Sequence, residues 1–450
     1  MQETPKKELS LFDSTSLIVG IIVGVGIYEV VPTVAKGTSY WWGFLGIWLV
    51  GGLISLCGVL GYAELATAYP KEGGDYVYLS RAYGRWAGFL FGWLQLAVVR
   101  PGDIAGMAFI FARYARTLYD PFPQAMAPYD LLPFKLMAGA AVPWSHLMYA
   151  AAAVFVLTGI NILGVPEGKW TQNLLTTVKT LGLLAIVVVA IAGPGGPSGS
   201  VVGDPAPLSL ALIFVLFTFG GWNEMAYVAA EVKNPSRNIV RALVLGTAAV
   251  TLLYLLVNGA FLYTLGLVGM ANSGAVATDT VSTMFPKFGA AFVSALVCIS
   301  ALGATNGLIF TGARISYAVG VDHRIFRALG RWHARTGTPV CALAVQGLIA
   351  MGLIVLLGSF VNAILYTAAA VYSFYLATSV AVAVLRFKEP NVKRPYRVTG
   401  YPVPTIIFCG VCAFLIQSAA AYRPGVAAGA LVIFLVGLPL YWISNRMREP

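Results

Sequence analysis

About twelve stretches of roughly 20 mostly apolar residues follow one another along this 450-residue chain, each long enough to cross a bilayer as a helix. They begin near Ser14, Trp41, Trp86, Val142, Trp170, Pro207, Ile239, Gly289, Val340, Val361, Val403 and Pro424. Between them the connections are too short for a soluble domain, so one all-α transmembrane domain over 1–450 is expected. Composition agrees: 10% of residues are charged, against about 25% in a soluble domain. The N-terminus, Met1 to Asp13, is short and polar, and no small-residue cleavage site follows the first apolar run. That run reads as a retained helix, not a signal peptide.

Lys and Arg are unevenly distributed over the connections. An even number of spans puts 20 of the 29 on the side of the N-terminus and 6 on the other, while Arg100, Lys179 and Arg314 fall within or at the end of spans. Because Lys and Arg resist translocation, both termini are expected in the cytoplasm and the chain in the inner or plasma membrane. The formal charge of +11 is then the positive-inside bias plus attraction to anionic lipid, and requires no nucleic acid. Cys57, Cys298, Cys341, Cys409 and Cys412 all lie in apolar runs. The Cys409/Cys412 spacing resembles half a zinc site, but no second pair or nearby His completes it, so no metal is expected and no cofactor.

Glycines interrupt two spans. Gly24-Val25-Gly26 sits inside the first and Gly220-Gly221 inside the sixth, although glycine costs about 1 kcal/mol in a helix interior. Either pair alone fits close helix packing through small residues. Matched breaks five spans apart fit an inverted repeat of five helices plus five, with the first helix of each half broken at the midplane. The repeats would run over about 14–193 and 207–385, with two extra helices at about 403–443. The connections Arg116 to Trp144 and Gly193 to Pro207 have no pattern of a folded domain.

Such breaks offer the chemistry that a zwitterion needs at membrane depth. Freed N–H groups at Gly24, Val25 and Gly26, at the positive end of the following half-helix, suit a carboxylate. Freed carbonyls at Ile22, Val23, Phe217 and Gly220 suit an ammonium. A phosphate loop is excluded, since no strand precedes the Gly-x-Gly and no Gly-Lys-Ser/Thr follows.

The segment Tyr62-Ala-Glu-Leu-Ala-Thr-Ala-Tyr-Pro-Lys-Glu-Gly-Gly-Asp-Tyr-Val-Tyr-Leu resembles the motif after the second helix of the amino acid/polyamine/organocation superfamily. Phe217-Thr-Phe-Gly-Gly-Trp-Asn-Glu, continuing to Glu231-Val-Lys-Asn-Pro-Ser-Arg-Asn, is similar to the sixth helix and following loop of its L-type amino acid transporter branch. Trp93, Leu96 and Arg100-Pro101 in the third span, and Arg386-Phe-Lys-Glu-Pro-Asn-Val-Lys-Arg-Pro after the tenth, fit that branch too. The resemblance runs in order along almost the whole chain. It implies the five-plus-five fold, substrate held by the backbone of the first and sixth helices, and secondary transport of small, neutral L-α-amino acids by alternating access. Phe217 would close over the substrate, while Gly220, Gly221, Trp222 and Asn223 shape the pocket.

Lys179 lies inside the apolar fifth span, too deep for snorkelling, and an intramembrane charge marks function. By the resemblance it matches a lysine whose ammonium substitutes for the sodium ion of related carriers, between the first, fifth and eighth helices. Its expected acceptors are a carbonyl just before Gly24 and Thr305 or Asn306 in the eighth span. Sodium-independent exchange or proton-linked uptake follows, and a structural lysine pair is the plain alternative. Arg100 and Asp103, three residues apart, read as a self-neutralising pair; if Asp103 faces the pocket instead, cationic amino acids or polyamines come within reach.

Two positions depart from the branch. Val25 replaces a residue that is usually small and polar, leaving carboxylate binding to the backbone. Glu29 stands where the branch continues apolar, and reads as a vestibule residue, a proton-coupling carboxylate or a partner for Lys36. Glu224 sits at the pocket edge, where it would titrate or meet water. Glu64 and Glu231 end the second and sixth spans near Lys71, Arg81, Lys233 and Arg237, as an inner gate or a solvated rim. Animal members of the branch join a single-span glycoprotein through a cysteine between the third and fourth helices. No cysteine occurs from Arg113 to Ser145, so no disulfide-linked partner is expected, and oligomeric state is left open. An intramembrane enzyme is disfavoured because the chain has no His-Glu-x-x-His, no paired intramembrane Asp and no Gly-x-Ser-x-Gly. A channel suits the broken helices less well, while a nutrient sensor on the same fold is separated from a transporter only by flux.

Overall fold

The computed structural model describes residues 7–121, 143–196, 208–357, 360–422 and 424–447. Lys6, Lys135, Arg423 and Arg448 of the charge count, and most of the 116–144 and 193–207 connections, lie outside the described residues. The first span is broken into α1 (Leu11–Ile22), α2 (Gly26–Glu29) and α3 (Val31–Lys36), and the second is α4 (Trp41–Ala68). A short α5 (Asp75–Tyr83) leads to the third span, made of α6 (Arg85–Leu94), a π-helical turn Gln95–Val99 and α7 (Arg100–Leu118). The fourth and fifth spans are α8 (Trp144–Leu163) and α9 (Val165–Ala192). The sixth joins α10 (Leu208–Thr218) to a 3-10 segment, Trp222–Glu231. After α11 (Pro235–Asn272) and the short α12 (Val276–Ser282) come α13 (Gly289–Asp322), α14 (Val340–Leu357), α15 (Phe360–Lys388), α16 (Val403–Tyr422) and α17 (Pro424–Arg446). By length and composition 9 of these stretches can cross a membrane, and three shorter apolar helices complete the twelve expected. Among the described residues no strand forms beyond two isolated bridges. The fold is all-α, with many helices able to span a membrane.

The third and eighth spans are mostly buried, whereas the fourth and fifth turn most of their surface outward. Large apolar side chains such as Leu49, Phe155, Leu181, Val188 and Leu252 are exposed, which lipid tolerates and water would not. The first and last described stretches, at Leu9 and Met447, lie on one face. Leu9 bridges Val232 at the end of the sixth span, Tyr76 reaches Asp322 at the end of the eighth, and Arg324 donates to the Met447 carbonyl. The first helix is started by a capping box between Ser10 and Asp13, and Asp13 also accepts from Asn173, tying α1 to α9.

On that face two carboxylates are buried in ion pairs. Glu231 meets Arg314 of α13 at 2.8 Å, both 1% exposed. Glu64 takes Arg386 of α15, at 2.5 Å, and Arg394, at 3.5 Å, with the Val398 amide as a third donor. Their partners are therefore remote in sequence, and not the neighbouring Lys71, Arg81, Lys233 or Arg237. The reason is geometric: a buried carboxylate takes the cation that packs onto its own helix, and α13 and α15 supply it. Beside them Tyr69, just past the end of α4, donates to Glu389; burial first, then that bond, pushes its phenol up to about 12. It stays a neutral donor at physiological pH.

Removing one partner of a buried pair leaves an uncompensated charge, at a cost of roughly 3–5 kcal/mol. Glu231→Ala is predicted to lower the thermal midpoint of the detergent-purified protein markedly more than the exposed control Arg237→Ala; equal midpoints would show that the Arg314 pair contributes nothing.

Candidate functional site

Helix α1 stops at Ile22, where Val23 leaves the helical region (φ −73°, ψ 69°), and the Gly24 amide folds back onto the Ile22 carbonyl at 2.7 Å. The chain resumes helical form at Gly26. In the sixth span α10 stops at Thr218, the Gly220 amide closes on the Phe217 carbonyl at 2.9 Å, and Gly221 turns with φ 105°. The two breaks abut. A Cβ on Gly221 would come within 2.6 Å of Ile21, and one on Gly26 within 2.6 Å of Thr218, so glycine lets each broken helix pass the other, and at Gly221 also permits a backbone that side chains rarely adopt.

The freed carbonyls are not all vacant. Tyr254 of α11 donates to the Ile22 carbonyl at 2.8 Å, with the Thr218 carbonyl at 3.2 Å. With the Gly24 amide this fills both lone pairs of Ile22, so Ile22 has no capacity left for a substrate ammonium in this conformation. Ser300 of α13 lies 3.0 Å from the Val23 carbonyl and 2.9 Å from that of Gly24, leaving each a free lone pair. The carbonyl of Phe217 accepts the Gly220 amide. Neither Tyr254 nor Ser300 was singled out from sequence; a tyrosine and a serine in apolar runs are common, and only the fold aims them at the breaks.

Both breaks open onto a cavity of about 130 Å³, small beside the roughly 300–1,000 Å³ of pockets for drug-sized ligands. Gly24, Val25, Gly26, Phe217, Gly220, Gly221, Trp222 and Asn223 all line it, as does Ile22. Trp222 stands edge-on to Tyr62, ring centroids 5.0 Å apart, and packs against Tyr375 and Phe408. Asn223 donates to Tyr227 and accepts from Tyr375, so its amide fixes the wall and offers little to a ligand.

The charged residues find specific partners. Lys179 is fully buried and donates to the Gly20 carbonyl, one turn before the first break; its stem packs against Gly303 of α13, where a Cβ would sit 3.1 Å from Nζ. Thr305 bonds the Ala301 carbonyl of its own helix, and Asn306 joins Asn161, Gln172 and the Gly168 carbonyl. Neither hydroxyl nor amide is therefore turned to Lys179, because both are used within α13 and toward α8 and α9.

Arg100 corrects another expectation. Its guanidinium forks onto Glu224, two contacts of 2.7 Å, and its Nε donates to Gln95. The π-helical turn that ends at Val99 brings Gln95 and Arg100 together across five residues; such turns cluster at functional positions. Glu224 also accepts from Thr311; it lines the cavity as expected but is 4% exposed and so does not meet open water. Asp103 lines the cavity and is hydrogen-bonded by Thr367 of α15; the pair with Arg100 gives way to Glu224 because the sixth span presents a second carboxylate to the same fork. Glu29, on the opposite face from the termini, accepts from Arg113 at 3.0 Å and Tyr114 at 2.8 Å, so Arg113 takes the place expected for Lys36. Asp75, which the sequence reading left unassigned, is 1% exposed, borders the cavity and accepts from Tyr227 and Thr378. Among the described residues no three His, Cys, Asp or Glu side chains are grouped to hold a metal.

Residues 9–443 match the amino acid permease family. The chain belongs to that family. This permease is 29% identical to the b(0,+)-type amino acid transporter 1 of Homo sapiens, over 97% of its own length and 88% of the relative's. It is 29% identical to the serine/threonine exchanger SteT of Bacillus subtilis over 98% of both chains, and 29% identical to the large neutral amino acids transporter small subunit 2 of Homo sapiens over 98% and 80%. The resemblance read from the sequence motifs is thus shown: the permease is a multi-pass membrane protein of amino acid transport, not an enzyme.

Tyr254→Phe strips the donor from the Ile22 carbonyl while keeping the ring. An unpaired buried acceptor costs about 1–3 kcal/mol, so a lower thermal midpoint and severalfold slower amino acid uptake are predicted; wild-type values for both would show that the hydroxyl does not hold the break.

Proposed function

We propose that this permease moves small L-α-amino acids, neutral ones foremost, by sodium-independent alternating access, as an exchanger or a proton-linked symporter. The observation that carries the reading is the Lys179 ammonium on the Gly20 carbonyl. It brings a fixed positive charge from the fifth span to the last turn before the first break, against the eighth span at Gly303, where a mobile cation would otherwise balance the carbonyl ends. The half-helix from Gly26 supplies amides for the substrate carboxylate, and the carbonyls of Val23 and Gly24 accept from its ammonium. Val25 contributes no hydroxyl, so the carboxylate depends on main chain alone. The aromatic wall of Phe217, Trp222 and Tyr375 supports an apolar side chain.

The two abutting breaks support the division into repeats at about 14–193 and 207–385. The Lys and Arg asymmetry supports cytoplasmic termini in the cell membrane, which makes the Glu64 and Glu231 ion pairs an inner gate and Glu29 with Arg113 an outer vestibule contact. The cysteine-free stretch from Arg113 to Ser145 supports function without a disulfide-linked heavy subunit.

Proteoliposome uptake of labelled neutral amino acids, with and without sodium, a pH gradient and internal substrate, tests the reading. Wild-type uptake is predicted to ignore sodium and to need internal amino acid or a proton gradient, and Lys179→Ala to lose most of it, tenfold or more by the usual weight of an intramembrane functional charge. Sodium-driven uptake by the wild type, or undiminished uptake by Lys179→Ala, would sink the role given to the lysine, and absence of any flux would favour a sensor.

A further inference from the structure

We infer that Asp103 is a specificity-determining residue of the same cavity, where it receives the side-chain ammonium of a cationic amino acid, so that the permease takes substrates with a second positive charge beside neutral ones. The inference rests on the transport reading above. Three acidic side chains, Asp75, Asp103 and Glu224, and one guanidinium, Arg100, line the cavity. The guanidinium is spent on Glu224, which grips it with both oxygens and takes the Thr311 hydroxyl as well. Asp75 is held by two hydroxyls, those of Tyr227 and Thr378, at 2.5 Å each, and is closed off from bulk water. Asp103 has the Thr367 hydroxyl and the more distant field of Arg100, and among the described residues no cation stands at ion-pair distance from it. A carboxylate at membrane depth without a counter-charge is expensive, and a substrate that carries one into the cavity recovers that cost on binding.

Position favours the substrate's side chain over its α-ammonium as the occupant. Met107, one turn beyond Asp103, brings α7 against Gly24, with its sulfur 3.8 Å from where a Cβ would be, beside Ala304 of α13 at 3.7 Å. Asp103 therefore stands about 6 Å along the third span from the break that holds the α-substituents. The four-carbon stem of lysine reaches a comparable distance, and Met107 and Val371 give the cavity apolar surface. Norleucine, lysine without its ε-amine, would follow the same path and leave Asp103 with Thr367 alone.

The test compares labelled L-lysine and L-norleucine in proteoliposomes containing wild type or Asp103→Asn, and thermal stabilisation of the purified wild type by each amino acid, which needs no variant. Lysine and norleucine are both expected to be transported by the wild type, lysine stabilising it more. In Asp103→Asn the KM for lysine is expected to rise on the order of tenfold to a hundredfold, the weight of a charged hydrogen bond, with that for norleucine within about twofold. Equal loss of both substrates would overturn the inference and make Asp103 a stand-by counter-ion for Arg100. Lysine transport untouched by the substitution, or norleucine flux with neither flux nor stabilisation by lysine, would overturn it while leaving the transport reading intact; absence of flux with both would overturn the two together.

Discussion

Two interrupted helices that touch at their breaks govern this structure. In hydrocarbon an unpaired amide or carbonyl costs several kcal/mol, so a break persists only where the fold answers each freed group. Here the answers come from three directions: the turn amides of Gly24 and Gly220, the Tyr254 hydroxyl from the seventh span, and Ser300 from the eighth. Each break is also the packing surface of the other, Gly221 against Ile21 and Gly26 against Thr218. What remains unsatisfied after these contacts is what a substrate can use, and that remainder is main chain, indifferent to the side chain that follows it.

Around this centre the charges are arranged as a ladder. Lys179, Arg100 and Arg314 are the three cations the apolar runs enclose, and each finds its partner on a broken helix: the Gly20 carbonyl, Glu224 and Glu231. Intramembrane cations are thus all directed from the less interrupted spans to the interrupted ones. This separates a frame, the third, fifth and eighth spans, from the parts it holds, and the division is electrostatic as much as steric.

Much of this was legible in the sequence. Hydropathy gave span starts that agree closely with the helices, from Trp41 and Gly289 to Val340, Val403 and Pro424, because a 20-residue apolar run has one solution in lipid. Glycine pairs marked both breaks, since a Cβ would collide at Gly26 and Gly221. Lys179 stood out by contrast with its surroundings. What sequence did not reveal were the pairings. Arg100 has an acid three residues away and one 124 residues away, and local spacing favoured Asp103; only the π-helical turn and the approach of the sixth span decide for Glu224. Glu64 and Glu231 similarly passed over their sequence neighbours for Arg386 and Arg314. Tyr254, Ser300 and Asp75 were not foreseen, because a hydroxyl or carboxylate reports its task only through what the fold sets beside it.

The 3-10 segment Trp222–Glu231 carries two buried carboxylates, Glu224 near its start and Glu231 at its end, each locked to a different span of the frame. A segment pinned at two points cannot peel away gradually, since releasing one end while the other holds would bend a stretch whose residues are almost all buried. Moving it off the frame therefore requires both guanidinium forks to open, which ties the Arg100–Glu224 pair at the cavity to the Arg314–Glu231 pair at the end of the sixth span.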